Sequence, residues 1–160
     1  MHEERPELFL RQCEALDAAE LAELRAASLL EMALLRPSGA ASFRRRARRE
    51  LALMLKAERL AGWLLTIDGE VVGCACVVFW DRLPYPETSL HAEIAGVYVA
   101  PEYRRHGYAR LLVSEALATA RARGVRRVVL QPSRNSRTLY QEFGFNASGQ
   151  MRLPVERPTS

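Results

Sequence analysis

Apolar and polar residues recur along this chain with two different periods, and these periods predict its secondary structure. Leucine and alanine recur at helical spacing over residues 18–35, 43–60 and 108–123, which predicts three amphipathic helices. Runs rich in valine, isoleucine and aromatic residues predict strands. These strands are expected at 7–13, 62–67, 71–80, 92–99 and 125–131. A short helix at 133–143 and a last strand at 150–155 give the order β-α-α-β-β-β-α-β-α-β.

Turn and cap residues divide these elements. Asp68-Gly69 predicts a tight hairpin turn, and Gly124 is placed to end the third helix. Residues 92–131 read as a strand–helix–strand unit, which requires a parallel pair of strands. The pattern therefore predicts an α/β (α+β) fold with a mixed, mostly antiparallel sheet and helices on its faces. A chain of 160 residues is expected to form a single domain over 1–160.

Composition places the chain among globular proteins, with 49% hydrophobic and 26% charged residues. No apolar run approaches the ~20 residues of a membrane helix, so we expect no membrane partner and a cytoplasmic location. Three cysteines, Cys13, Cys74 and Cys76, form no CxxC pair, so neither a disulfide framework nor a metal site is expected. The net charge of +4 suits an anionic ligand.

The stretch APEYRRHGYARLL, residues 100–112, concentrates this positive charge. Arg104, Arg105 and His106 precede Gly107 at the start of a helix, where the helix dipole favours anions instead of cations. The segment contains neither GxxxxGK[ST] nor GxGxxG, which excludes the common nucleotide-binding loops. The remaining pattern is Arg-x-x-Gly-x-Ala between a strand and a helix, and it predicts an anion site.

In this setting the chain resembles the GNAT superfamily of N-acetyltransferases. VYVAPEYRRHGYA, residues 97–109, is similar to the coenzyme A signature of that family, and NSRTLYQEFGF, residues 135–145, is similar to its second landmark. The ending GQMRLPV, residues 149–155, looks like that of a broad bacterial group with mostly unassigned substrates. The resemblance implies the GNAT fold, a mixed sheet of six to seven strands flanked by about four helices.

The resemblance also implies acetyl-CoA as co-substrate, with no metal. Backbone N–H groups from about Arg105 to Arg110 would hold its pyrophosphate, supplemented by the basic side chains. The pantetheine would lie beside Val97 and Val99, with the Tyr98 side chain between them used in packing. The coenzyme-binding loop implied in this way comprises Arg104, Arg105, His106, Gly107, Tyr108, Ala109 and Arg110.

Beyond this loop, Asn135 matches a position that often contacts the pantetheine, although it could equally cap its own helix. Arg134 and Arg137 could reach the ribose phosphate or simply be exposed. Tyr140 matches the tyrosine that contacts the coenzyme and protonates its departing thiolate. A core position beside Leu139 is the alternative reading for Tyr140.

The general base is open at this level. His91 and Glu93 lie two residues apart on one strand, so their side chains share a face. Glu93 is closer to where the family sometimes keeps a carboxylate base and is the favoured candidate, while water could also serve. Cys74 and Cys76 suggest an acetyl-cysteine route, but no activating partner is evident and direct transfer is favoured.

The function predicted on this basis is transfer of an acetyl group from acetyl-CoA to a primary amine, in a ternary complex. The acceptor would be a small molecule or a peptide, and a homodimer is left open. One alternative is a GNAT-like module that binds a CoA ester as a sensor without turnover. A second is a nucleic-acid-binding domain that uses FRRRARRE, residues 43–50, although no aromatic platform accompanies these arginines and nucleic acid is not the expected partner.

Overall fold

The computed structural model describes residues 5–156, and these are built around one mixed β-sheet. Its five strands follow one another across the sheet in chain order, antiparallel from the first to the fourth and parallel between the fourth and fifth. They are β1 (Leu8–Gln12), β2 (Leu60–Ile67), β3 (Glu70–Asp81), β4 (Leu90–Val99) and β5 (Val128–Leu130). Four helices flank the sheet: α1 (Ala18–Glu31), α2 (Ala40–Lys56), α3 (Tyr108–Ala122) and α4 (Arg137–Glu142). The predicted α/β (α+β) class is confirmed.

The predicted number of six to seven strands was too high for the described residues, which form five. The missing element is the last strand, expected at 150–155, where the backbone forms no ladder. Its alternating apolar side chains lie in solvent, with Met151 95%, Leu153 82% and Val155 86% exposed. Alternation predicts a strand only when one face is buried, and this segment buries neither.

The predicted hairpin turn and the predicted end of the third helix are both present in the structure. Asp68 and Gly69 take φ values of +49° and +82°, the two positive values that a type I′ hairpin turn requires. Gly124, with φ of +79°, ends α3 while its N–H bonds the Arg121 carbonyl and the Val125 N–H bonds the Ala120 carbonyl. This pair of bonds satisfies helix carbonyls that would otherwise lack partners.

The sheet buries a different helix layer on each face. Leu112, Val113 and Ala116 of α3 are fully buried against one face, and the α4 residue Tyr140 joins this larger core. Leu21 of α1 packs with other apolar side chains of α1 and α2 on the opposite face. Because the two layers leave the ends of the strands uncovered, the carboxyl end of β4 is where a site can form.

Candidate active site

β4 carries a β-bulge in its second half. The antiparallel register of β3 against β4 changes between Cys74 and Cys76, so β4 has one residue more than β3 at this point. Gly96 takes a φ of +63° there, and its carbonyl accepts a hydrogen bond from Cys74 Sγ at 3.3 Å. A bulge of this kind bends a strand and redirects the main-chain groups beside it.

Beyond the bulge, the outer edge of β4 is open. β5 pairs with β4 only over Ala92–Ile94, and the described ladder goes no further. The Ala100 N–H donates to the Val72 carbonyl at 2.8 Å on the β3 side, so Val97 and Val99 direct their main-chain groups to the outer edge. An extended ligand can pair with such an edge as an added strand does.

The loop between β4 and α3 has an unusual backbone. Arg105 and Gly107 both have positive φ, +65° and +81°. α3 begins at Tyr108 with no side-chain cap, and the first bond along it runs from the Leu111 N–H to the Gly107 carbonyl at 3.2 Å. The three preceding N–H groups of the helix are therefore left for a ligand. Alternating left- and right-handed residues at a helix N-terminus form a concave anion-binding nest, and a non-glycine residue held at positive φ is a strain that functional sites commonly contain.

The side chain of Arg104 is used inside the protein. Its Nε donates to the Val99 carbonyl at 2.8 Å, and its two terminal nitrogens donate to both Glu31 carboxylate oxygens at 2.7 Å. The guanidinium also lies 5.6 Å from the centre of the Tyr98 ring. This bidentate bond lowers the pKa of Glu31 and raises that of Arg104. Arg104 thus ties the end of β4 to the end of α1.

The other basic side chains of the loop differ in whether they contact other groups of the protein. His106 contacts the Arg104 carbonyl through Nδ1 at 2.8 Å and stacks on Tyr108 with ring centres 5.6 Å apart. Arg110 forms an ion pair with Glu142 of α4. Among the described residues, Arg105 takes part in no ion pair or side-chain hydrogen bond, so its exposed guanidinium is available to a ligand.

Tyr140 lies on α4 with its ring in the core, where it is 8% exposed and meets Phe145 edge-on at 5.9 Å. Burial raises the pKa of its phenol, so the group keeps its proton at neutral pH. The hydroxyl forms no hydrogen bond within the described residues, yet no buried side-chain oxygen or nitrogen there lacks a partner. The oxygen is therefore not fully enclosed while the ring is packed, so Tyr140 is a core residue whose hydroxyl has no hydrogen-bond partner in the described part of the chain.

Asn135 is exposed and does not cap its helix. α4 begins after Ser136, whose hydroxyl bonds Ser133 instead. Arg134 and Arg137 are exposed and form no ion pair in the described region. The capping alternative for Asn135 thus has no counterpart in the structure, and its amide is available to a ligand.

Glu93 and His91 share one face of β4, as predicted, and this face is the one turned toward α1 and α2. Glu93 is half-buried and forms no ion pair or hydrogen bond with the described side chains. His91 is buried, and its Nε2 lies 3.2 Å from a terminal nitrogen of Arg82. Burial, followed by the positive charges of Arg82 and Arg127, lowers the pKa of His91. Because Arg82 can only donate, His91 Nε2 accepts this contact and its lone pair is occupied.

The cysteines are poorly suited to nucleophilic chemistry. Burial raises the pKa of Cys76 to about 12 and that of Cys74 well above its usual range, and burial likewise raises the pKa of Cys13 to about 12. A thiol in this state provides almost no thiolate near neutral pH. This supports direct transfer over an acetyl-cysteine route.

No group of three or more histidine, cysteine or acidic side chains within residues 5–156 is arranged to hold a metal ion. Over the same residues, no helix is both long and apolar enough to cross a membrane.

A comparison with known protein families agrees with this arrangement of bulged strand, nest and uncapped helix. Residues 25–145 match the acetyltransferase (GNAT) family, so the chain belongs to this family. It is accordingly an acetyl-CoA-dependent N-acetyltransferase. Members of the family bind acetyl-CoA, and the resemblance noted in the sequence is confirmed.

Individual relatives agree with this assignment. The chain is 29% identical over 112 residues to a glucosamine 6-phosphate N-acetyltransferase from Trypanosoma brucei brucei, covering 66% of this chain and 76% of that protein. An acetyltransferase from Clostridium acetobutylicum, crystallised with acetyl-CoA, superposes with a TM-score of 0.83 at 20% identity over 94% of this chain and 96% of that one. An aminoglycoside N-acetyltransferase in complex with CoA superposes with a TM-score of 0.74 at 19% identity, covering 98% of this chain and 99% of that one. At these identities the two structures show a shared fold.

Sequence reasoning missed two features of the site. The bulge at Gly96 had a signal, because an isolated glycine within a strand often marks a bulge or a close approach. Glu31 had none, since it lies 73 residues from its partner Arg104 and contacts it only through the fold.

Proposed function

We propose that the chain acetylates a primary amine by direct transfer from acetyl-CoA, acting as a single acyltransferase domain in the cytoplasm. The observation that carries this proposal is the nest of Arg105 and Gly107, which lies at the N-terminus of α3 beside the open edge of β4. A pyrophosphate fits this place because the N–H groups are unpaired and Gly107 has no atom within 4 Å of the position of a Cβ.

The coenzyme supplies an acetyl group activated as a thioester. The first N–H groups of α3 and the guanidinium of Arg105 would hold its pyrophosphate, and the main chain of Val97 and Val99 would align its pantetheine. Asn135 would bind the same arm from the α4 side. Arg104 and His106 would act differently from the prediction, by fixing the loop from within.

Two residues would manage the protons. Glu93 accepts the proton of the amine as its nitrogen bonds to the acetyl carbon, and Tyr140 donates a proton to the sulfur as the carbon–sulfur bond breaks. Burial raises the pKa of Tyr140 and so keeps its phenol protonated, while the half-buried carboxylate of Glu93 is engaged by no ion pair within the described residues. A ternary complex follows, since no activated thiol is available to carry the acetyl group.

For the acceptor, we propose a class of compounds instead of one molecule. The trypanosomal relative is named for glucosamine 6-phosphate, and the structural neighbour with CoA is named for aminoglycosides. Both kinds of acceptor carry an amine on a small sugar, so small amino sugars are the first compounds to test here.

The test is a steady-state assay with acetyl-CoA and a panel of small amines, in which acetylated product is identified by mass. Tyr140→Phe should lower kcat by about 10²-fold or more while acetyl-CoA affinity stays within about twofold. Because its pKa is raised, Tyr140 should cause no loss of kcat below about pH 10. Glu93→Gln should lower kcat/KM by at least about tenfold.

Tyr85→Phe is the matched control, since Tyr85 is 57% exposed on the loop before β4. Normal turnover by Tyr140→Phe would remove the proposed acid. A burst of acetyl-enzyme, detected by mass in the absence of amine, would contradict direct transfer.

A further inference from the structure

Three side chains form a row across the sheet at the beginning of β4. Trp80 of β3 lies directly opposite His91, with ring centres 5.7 Å apart. The parallel register that pairs Ala92 with Val128 places Arg127 beside His91 on the other side. Neighbouring positions of paired strands share a face, so this row lies on the same face as Glu93.

Arg82 lies beside this row and adds a second positive charge to that of Arg127. Arg82 reaches His91 at 3.2 Å, and neither Arg82 nor Arg127 forms an ion pair within residues 5–156. The adjacent Arg126 differs, because its guanidinium is 3.2 Å from Glu87. Both arginines are exposed and lie close enough to His91 for their positive charges to lower its pKa. Like charges repel one another, and an anion bound between them would relieve this repulsion.

The distance to the proposed base suits a small acceptor. Residues two apart on a strand are separated by about 6–7 Å, so the row lies that far from Glu93 along β4. An amine held at Glu93 would place a group about 6–7 Å away beside the two arginines. Phosphorylated amino sugars and ω-amino acids can place an acidic group at about this distance from the amine.

We propose that Arg82, Arg127 and His91 form a subsite for an anionic group of the acceptor, either a phosphate monoester or a carboxylate. The arginines provide charge and paired donors, and His91 orients Arg82. This inference rests on the proposed function, because Glu93 defines where the amine lies. It assigns the acceptor to the class of small amines that carry an acid.

Two matched pairs of acceptors test the subsite. Glucosamine 6-phosphate is compared with glucosamine, and 6-aminohexanoate with hexylamine, in the wild type and in Arg82→Gln and Arg127→Gln. At least one acidic compound should be preferred over its neutral partner by about tenfold or more in kcat/KM, and each variant should lose most of that preference through KM. Rates with the neutral amines should change by less than about twofold. The pair that shows the preference distinguishes phosphate from carboxylate.

Arg126→Gln is the control, because it removes a neighbouring arginine that is already paired. Calorimetric titration of glucosamine 6-phosphate and 6-aminohexanoate into the CoA-bound protein gives a second readout. If the wild type acetylates amines but shows no preference for the acidic compounds, the subsite is overturned while the proposed function stands. The same holds if Arg82→Gln and Arg127→Gln lower kcat/KM equally for acidic and neutral amines. Binding that depends on Arg127 but yields no acetylated product retains the subsite and overturns the proposed function. If the protein binds neither compound and shows no preference for acidic amines, the subsite is overturned.

Discussion

Two arginine-rich segments of this protein have similar composition and different structures. Residues 44–49 lie within α2 as regular helix, and residues 104–110 form the loop that enters α3. In α2, Arg44 pairs with Glu23 and Arg46 with Glu50, while the remaining arginines lie in solvent. In the loop, the backbone takes positive φ at two positions and leaves the first N–H groups of a helix unpaired.

Under the proposed function, positive charge alone does not make an anion site. A helix interior uses its own N–H groups, so the α2 arginines provide only flexible side chains around more than one face. The loop provides fixed donors, with Arg105 as a supplementary charge. Acetyl-CoA affinity should therefore depend most on the backbone at Gly107. It should depend less on the bond between Arg104 and Glu31 that holds the loop, and least on the exposed arginines.

Gly107→Glu should produce the largest effect. It forces a side chain into positive φ and places a negative charge at the nest, so acetyl-CoA affinity should fall by about 100-fold or more. Calorimetric titration of acetyl-CoA measures this loss. Gly124→Glu is the matched control, because Gly124 has nearly the same φ, an equally open Cβ position and a place at the other end of α3. Equal losses in both variants would assign the effect to strain instead of the nest.

The bond between Arg104 and Glu31 should produce an intermediate effect. Both side chains are partly exposed, so their interaction contributes about 0–1 kcal/mol, and Arg104→Gln or Glu31→Gln should weaken acetyl-CoA binding about threefold to fivefold. The double variant should be no weaker than either single one, because both remove the same tie. If Arg104 instead contacts phosphate, Glu31→Gln would leave the affinity unchanged or improve it while Arg104→Gln reduces it.

Exposed arginines should produce the smallest effects. Arg105→Gln should weaken acetyl-CoA binding about twofold to threefold at low salt, and the difference should shrink at 0.5 M salt because an exposed charge is screened. Arg45→Gln with Arg48→Gln should leave binding unchanged. Titration at two salt concentrations checks both statements. If the α2 variant lost acetyl-CoA affinity, the distinction between the two segments would be wrong.

The fold was largely predictable where local and tertiary preferences agree. The hairpin turn at Asp68-Gly69 and the end of α3 at Gly124 depend on backbone angles that few residues other than glycine and asparagine or aspartate adopt. The strand predicted at 150–155 failed because alternation is only a local pattern. Its apolar side chains remain exposed, so no tertiary burial supports a ladder there.

For the candidate site, the sequence alone predicted the loop that is proposed to bind the coenzyme, since Arg-x-x-Gly-x-Ala occupies six consecutive residues of one loop and helix start. It also placed Glu93 and His91 on one face, because strand periodicity fixes the direction of alternate side chains. Local geometry of this kind needs no knowledge of distant residues.

Only the tertiary structure decided the rest. It joined Arg104 to Glu31, brought Arg82 and Arg127 close to His91, and packed the Tyr140 ring into the core. These arrangements depend on sheet register and helix packing between segments far apart in the chain. A residue pattern specifies which side chains are available, and the fold decides which of them meet.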